Sequence, residues 1–155
     1  KRAILDLKTH LIDGLIVENI KIIHDKKGSV LHMLRSDSAL FKNFGEIYFS
    51  EVKPNIIKGW KIHHLTTQRF TVPSGSIKLV IFDDRENSST KGLITEISFG
   101  RDNYKLVTIP PNLWYSFKGI SKVTALIANC IDFPHDPSES ETIDIDNKKI
   151  PYVWS

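Results

Sequence analysis

The residues with the clearest chemical potential are Lys61 and His63, which lie two positions apart in the stretch Lys-Gly-Trp-Lys-Ile-His-His. Apolar and polar residues alternate around them, which is typical of a β-strand, and residues two apart on a strand share a face. An amine and an imidazole held side by side could remove a proton from carbon or stabilise the negative charge that forms. A one-residue bulge between them would separate the pair.

His63 is the first candidate for the base, because an imidazole with a pKa near ~6.5 can accept a proton at neutral pH. Lys61 is the alternative base, or it acts as an ammonium group beside an enolate oxygen. Three aromatic residues are candidates for lining a sugar or base pocket, unless they belong to the core. They are Tyr48, Tyr115 and Trp60.

Composition limits the functions to be considered. The chain has 155 residues with 41% hydrophobic and 25% charged residues, as expected for one domain over residues 1–155. A net charge of +3 without a basic run argues against a nucleic-acid partner. No apolar run approaches the ~18 residues of a membrane span, and the first residues lack the apolar region of a signal peptide. The single cysteine, Cys130, suits a reducing cytoplasm, so we expect a cytoplasmic protein without a membrane partner.

Turn signals at intervals of 8–12 residues separate roughly ten short strands, which predicts an all-β sandwich or barrel with little helix. Ser36 to Asn43 is the best candidate for a helical turn, and residues 5–15 could form a short amphipathic turn. Residues 134–139 read as an acidic, irregular segment. The end of the chain, Ile150 to Trp154, is apolar enough to pack back on the domain.

The spacing of the central stretch resembles the cupin motifs. Lys61-x-His63, four residues, Gln68, six residues and Gly75 match the first motif, and Pro110 to Tyr115 matches the second. The resemblance implies a cupin-type jelly-roll fold. Of the four positions that bind metal in cupins, only His63 retains a good ligand, so we expect neither a metal ion nor another cofactor.

The whole chain resembles the dTDP-4-dehydrorhamnose 3,5-epimerases and related sugar-nucleotide cupins. The Asp25–Gly28 turn resembles their Asp-x-Arg-Gly, and Lys58–Lys61 resembles their Arg-Gly-Leu-His. Asp83-Asp84-Arg85, followed by Ser88 to Gly92, resembles their Asp-x-Arg and Ser-Pro-Thr-x-Gly. Ile109-Pro110-Pro111 resembles Ile-Pro-x-Gly, and Ile150 to Trp154 resembles their closing Ile-x-Trp-Pro.

In such epimerases a His removes a proton next to the 4-keto group and a Tyr acts as the acid on the opposite face. Those positions fall here on Lys61 and near Ala128, so the usual pair is missing. The family's Lys on the next strand falls near Gln68, or Arg69 if the register slips by one. The related sugar-nucleotide 3,4-ketoisomerases resemble the chain at Lys58, Gly59, His63 and Gln68. Such an enzyme moves a proton along one face, for which a single base suffices.

The resemblance therefore implies an isomerase acting on a nucleotide-linked 4-keto-6-deoxy sugar in surface polysaccharide synthesis, through metal-independent proton transfer. It places His63 and Lys61 in catalysis, and it implies a homodimer. It also puts Lys58 and Lys27 where the family uses Arg for the nucleotide diphosphate, so they could bind phosphate as point charges, or they could be ordinary surface lysines. One alternative is a catalytically inactive protein on the same scaffold that binds a sugar nucleotide. The other is a metal-dependent cupin of another class.

Overall fold

The computed structural model describes residues 11–155. This part of the chain contains twelve β-strands. Their bounds are β1 Ile16–Asn19, β2 Ile22–Ile23, β3 Val30–Leu31, β4 Glu46–Val52, β5 Ile57–His63, β6 Gln68–Ser74, β7 Ser76–Phe82, β8 Ile94–Gly100, β9 Lys105–Ile109, β10 Trp114–Gly119, β11 Ala125–Ile131 and β12 Ser140–Thr142. The predicted all-β, cupin-type jelly roll is confirmed.

The strands form two five-stranded sheets and a hairpin. Sheet A has the order β1-β9-β6-β11-β4, and sheet B has the order β12-β5-β10-β7-β8. The hairpin pairs β2 with β3, and all pairs between strands are antiparallel. The inner faces of sheets A and B enclose the main core, to which β7 contributes Ile77, Leu79 and Ile81.

A second apolar cluster lies on the outer face of sheet B. Val80 of β7 and Trp60 of β5 point into it, and Ile150, Tyr152 and Trp154 of the C-terminal segment pack over it. The predicted packing of this segment against the domain is confirmed. Both faces of sheet B are therefore covered, so a side chain on its outer face does not reach the interior of the barrel.

The loops differ from the prediction in two places. The prediction of a helical turn from Ser36 to Asn43 is wrong. The segment forms successive non-helical turns, closed by hydrogen bonds such as the one from the Phe41 N–H to the Ser38 carbonyl. The segment expected to be irregular contains a short 3₁₀ turn, Pro137–Glu139, which leads into β12. The expected amphipathic turn falls largely on residues 5–10, which lie outside the described residues.

Strand β5 contains a β-bulge that decides which side chains enter the barrel. Against β10, Lys61 pairs with Tyr115 and Gly59 with Ser116, so Trp60 is the extra residue. Gly59 has a φ of 121°, and a Cβ there would lie 2.9 Å from the Ser116 Cα. Only glycine fits this close approach. Within residues 11–155, no helix has the length and apolar character that a membrane crossing requires.

Candidate active site

A cavity of about 180 Å³ opens between the two sheets at one end of the barrel. Residues from six strands line it, and they combine amines, hydroxyls and one amide with an apolar floor. The lining residues are Tyr48, Ser50, Lys58, Gly59, Lys61, Phe70, Tyr115, Phe117, Ile127, Asn129 and Thr142. This mixture suits a polar small molecule with negative charge.

Sheet B contributes two lysines to the cavity. Lys61 pairs across the strands with Tyr115, and Lys58 pairs with Phe117, over whose ring its Nζ lies 6.0 Å from the centroid. Regular alternation would place Lys58 and Lys61 on opposite faces. The bulge at Trp60 brings both to the inner face and aims two positive charges at the same cavity.

His63 lies behind this surface and joins the cavity to a carboxylate. Its Nδ1 lies 2.5 Å from Oε1 of Glu139, and its Nε2 lies 3.2 Å from the Tyr115 hydroxyl. The other carboxylate oxygen of Glu139 accepts hydrogen bonds from the N–H groups of Leu65 and Thr66, at 3.0 and 3.3 Å. His63 is only 3% exposed, so it reaches the cavity through Tyr115. Lys61 and His63 share the inner face, as predicted.

The pKa shifts of His63 and Glu139 indicate which of these two groups carries a proton. Burial lowers the pKa of His63 and outweighs the opposing hydrogen bond to Glu139, while the charge of Lys61 lowers it further. Burial alone would raise the pKa of Glu139, but the hydrogen bonds from His63 and the two backbone N–H groups bring it below its ordinary value. At neutral pH the uncharged imidazole therefore donates Nδ1–H to the carboxylate, and its Nε2 is free to accept a proton.

Tyr115 stays protonated at neutral pH, because burial raises the pKa of its phenol far above the ordinary value. Its hydroxyl therefore donates to Nε2 of His63. Its ring packs edge-on against Phe70, with centroids 5.5 Å apart, which fixes the position of the hydroxyl.

Sheet A provides the opposite wall, where Asn129 links two other candidates. The Asn129 amide donates to the Tyr48 hydroxyl at 3.0 Å and to the Gln68 Oε1 at 2.6 Å. Burial raises the pKa of Tyr48, so it too is a neutral hydroxyl. Gln68 is buried one step behind Asn129, and its Nε2 has no partner among the described residues.

Three predicted substrate-binding residues lie elsewhere. Trp60 is fully buried in the outer cluster of sheet B, where its Nε1–H donates to the Ile145 carbonyl. Arg69 points to the outer face of sheet A, because its neighbour Phe70 faces the core. Lys27 is exposed in the turn between β2 and β3. None of these three side chains therefore lines the cavity of the same chain.

The positions of the family's acid and base are also informative. Lys61 stands in the cavity where the resemblance places the base. Ala128 is on the outer face of β11, and its inward neighbours Ile127 and Asn129 line the cavity instead. Sequence reasoning missed Glu139, which lies 76 positions after His63 in the segment predicted to be irregular. Its only sequence signal is a place in an Asp-Pro-Ser-Glu run that can cap a short helical turn.

Residues 11–155 contain no group of three or more His, Cys, Asp or Glu side chains placed to bind a metal ion. The donors around the cavity are amines, phenols and amides, which bind divalent cations poorly. The site as described offers proton transfer and anion binding.

Comparison with known proteins gives a consistent result. The family model for dTDP-4-dehydrorhamnose 3,5-epimerase matches residues 9–155. The crystal structure of a dTDP sugar isomerase from Desulfovibrio desulfuricans is 47% identical, covers 92% of each chain and superposes with a TM-score of 0.90. A probable low-salt glycan biosynthesis epimerase of Haloferax volcanii is 32% identical over 91% of this chain and 88% of its own length. A spore coat polysaccharide biosynthesis protein of Bacillus subtilis, SpsL, is 26% identical over 94% and 97%.

Proposed function

This chain belongs to the dTDP-4-dehydrorhamnose 3,5-epimerase family, and on that premise we propose that it isomerises or epimerises a nucleotide-linked 4-keto-6-deoxy sugar during polysaccharide synthesis. The chain is an isomerase-type enzyme, in line with the family and with the isomerase and epimerase it resembles. The observation that carries the proposal is Tyr115, which lines the cavity with Lys61 and whose hydroxyl is hydrogen-bonded to the His63–Glu139 pair.

The geometry supports a relay in which Tyr115 touches the substrate and His63 acts through it. As the carbon next to the keto group loses its proton to the Tyr115 oxygen, the phenol proton passes to Nε2 of His63. The Glu139 carboxylate stabilises the imidazolium that forms, so no free phenolate is needed. Lys61, adjacent to Tyr115, holds the developing enolate oxygen as an ammonium group.

In a ketoisomerase the reversed relay delivers the proton to the former carbonyl carbon on the same face of the sugar, while the hydroxyl proton of the first carbon passes to the former keto oxygen. Inversion requires a second donor on the opposite face. Tyr48 on sheet A meets this requirement, because its hydroxyl lines the cavity from the opposite wall and is held by Asn129. Tyr48 therefore distinguishes epimerisation from isomerisation.

Lys58 binds the diphosphate of the substrate as a point charge at the mouth of the cavity, whereas Lys61 lies deeper, beside the keto oxygen. Lys58 is exposed and Lys61 is half-buried. The two positive charges therefore lie at different depths between the solvent and the reacting carbon. Replacing Lys61 by Met should weaken sugar-nucleotide binding by about tenfold, while Lys122→Met, an exposed site outside the cavity, should leave binding unchanged.

The proposal includes a homodimer. Strand β4 is the edge of sheet A, and its outer face exposes Ile47 at 50% and Phe49 at 63%. Phe44, exposed to 63%, lies just before this strand. An apolar edge of this kind is typical of an association surface. Light scattering should give twice the mass of the chain, and Phe49→Lys should give the monomer. A monomeric wild-type protein would rule the dimer out.

A non-catalytic sugar-nucleotide-binding protein is the second candidate, favoured by Lys61 and Ala128 at the family's acid and base positions. One experiment separates the two. The protein is incubated in D2O with a panel of nucleotide 4-keto-6-deoxy sugars and followed by proton NMR. Loss of the C3 proton signal, with or without C5, supports catalysis. Saturation transfer from the nucleotide without any exchange would instead support the binding protein.

The product in the same experiment assigns the reaction. In an epimerase, Tyr48→Phe should still exchange the carbon proton but should lose inversion. In a ketoisomerase, Tyr48→Phe should retain product formation. His63→Ala should abolish exchange in both cases, and exchange at the wild-type rate in that variant would rule out the relay.

A further inference from the structure

Arg69 lies in a second cavity, on the outer face of sheet A and separate from the catalytic one. Its neighbour Phe70 pairs with Val107 and both face the core, so Arg69 and its partner Thr108 point outward. The cavity measures about 170 Å³, and residues from the 38–42 segment and from the turn after β9 complete its walls. The Arg69 side chain is 0% exposed, so this segment forms a roof over the guanidinium.

Most of the hydrogen-bonding capacity of Arg69 is unused. Its Nη2 donates to the Leu40 carbonyl at 3.2 Å, but Nε and Nη1 have no acceptor among residues 11–155. The hydroxyl of Thr108, on the paired strand, is equally buried and unpartnered there. Within the same residues no carboxylate forms a salt bridge with Arg69. The Asp132 carboxylate accepts from the Thr67 N–H instead.

A buried guanidinium with unused hydrogen-bond donors lowers the stability of the fold when no anion is bound in the cavity. A guanidinium does not release its proton in proteins, so burial cannot be relieved by neutralisation. A buried charge without a counter-charge or a full set of hydrogen bonds is strongly destabilising. Nε and one Nη form the planar fork that binds two oxygens of a carboxylate or phosphate, and a hydroxyl can add a third hydrogen bond.

We propose that the cavity around Arg69 and Thr108 binds a small oxyanion, with the shape of phosphate or a carboxylate, outside the catalytic site. Lys42, exposed in the roof segment and lining the cavity, adds a second positive charge at its rim. Because the roof touches Arg69 through the Leu40 carbonyl, an anion bound to Arg69 lies against residues 38–42. Binding is then coupled to the position of that segment.

The test measures thermal unfolding and isothermal titration of the full chain with inorganic phosphate and with acetate, at constant ionic strength set by chloride. The Lys61→Met background weakens phosphate binding in the catalytic cavity. We expect a saturable rise in Tm and a single binding isotherm with at least one of the two anions, and whichever binds more tightly identifies the source. Arg69→Met should abolish both signals, whereas Arg101→Met, at an exposed arginine, should retain them.

Two further results bear on the proposal. Without added anion, Arg69→Met should be at least as stable as its parent, because it removes an uncompensated charge. If that variant does not fold, Thr108→Val, which removes one donor at constant shape, should weaken binding by about tenfold. No response to phosphate or acetate would mean that the cavity contains water or a carboxylate of this chain, and would overturn the proposal. So would an equal response in Arg69→Met.

The outcome is independent of the catalytic proposal. Proton exchange on a sugar nucleotide depends on Tyr115 and His63 on the inner side of the barrel, whereas the anion response depends on Arg69 on the outer side. A protein inactive towards every sugar nucleotide could still show the phosphate response. An active one could lack it.

Discussion

The hydroxyl of Tyr115 lies 3.2 Å from Nε2 of His63, and the opposite nitrogen of the same ring lies 2.5 Å from Glu139. Tyr115, His63 and Glu139 come from three separate strands or turns. They form a hydrogen-bonded chain that leads from the cavity to the Glu139 carboxylate. The arrangement resembles the base-and-orienting-group logic of catalytic triads, with a phenol in the position of the group that touches substrate.

The first prediction concerns Tyr115. Tyr115→Phe removes the hydroxyl and keeps the ring that packs against Phe70, so the fold and sugar-nucleotide binding should persist. Proton exchange should fall by roughly 10²-fold or more, the usual contribution of general acid–base catalysis. Deuterium incorporation followed by NMR measures it. Tyr152→Phe is the matched control, because its hydroxyl bonds to Glu96 far from the cavity. An unchanged rate in Tyr115→Phe would exclude the relay.

The second prediction concerns pH. Burial holds the pKa of His63 below 6.5, so the acid limb of kcat/KM should lie below that value. The hydrogen bond that His63 donates to Glu139 opposes this shift, and Glu139→Gln should move the limb to still lower pH. The rate on the plateau should also fall, since the amide no longer fixes the tautomer with Nε2 unprotonated.

Glu141→Gln is the control for this variant, since Glu141 is an exposed partner of His64.

The lowered pKa of His63 should also make the free energy of unfolding depend on pH. Above pH 6.5 the imidazole is neutral in both the folded and unfolded states. As the pH falls below 6.5, the unfolded chain takes up the proton first, and the free energy of unfolding decreases. A pH profile identical in wild type and Glu139→Gln would contradict the role of Glu139.

The third prediction separates Trp60 from the substrate. Trp60→Phe should reduce the free energy of unfolding by about 2 kcal/mol, because it leaves a void in the outer cluster and removes the bond to the Ile145 carbonyl. KM should not change. Urea unfolding and steady-state kinetics on the same variant measure the two effects, and Lys61→Met, which should raise KM with little loss of stability, serves as the contrasting variant. A rise in KM for Trp60→Phe at an unchanged free energy of unfolding would mean that Trp60 contacts the substrate.

The fourth prediction concerns the turn after β7. The Asp83 carboxylate is fully buried and accepts hydrogen bonds from Arg85, Ser88 and Thr90. Burial alone would raise its pKa, but these bonds lower it well below the ordinary value. Asp83→Asn should cost about 3 kcal/mol in urea unfolding at pH 7, while Asp84→Asn next to it should cost little.

The stabilisation by Asp83 should also disappear in acid. Above about pH 4 the carboxylate is charged in both states and its bonds contribute fully. Below that pH the unfolded chain is protonated first, so the wild type should lose stability as the pH falls while Asp83→Asn changes less. Parallel pH dependences of the two proteins would show that Asp83 does not stabilise the turn.

Local sequence determined most of the strands. Alternation with period two marks β4 and β8 within a residue or two of their bounds, because side-chain burial on a strand depends on immediate neighbours. The same rule places Lys61 and His63 on one face. The resemblance in motifs along the chain gave the jelly roll and the family, since those motifs mark turns and strand ends that recur together.

Only the tertiary structure decided how the site is assembled. The bulge at Trp60 depends on the close approach of Gly59 to β10, and it sends Trp60 outward while it turns Lys58 inward. Alternation along β6 separates Arg69 from Gln68, but the packing of the two sheets decides that Arg69 is the one on the outer face. Glu139 meets His63 because β12 pairs along the edge of β5. Such register and contacts between distant segments are set by packing across the whole sheet, which no local pattern of residues encodes.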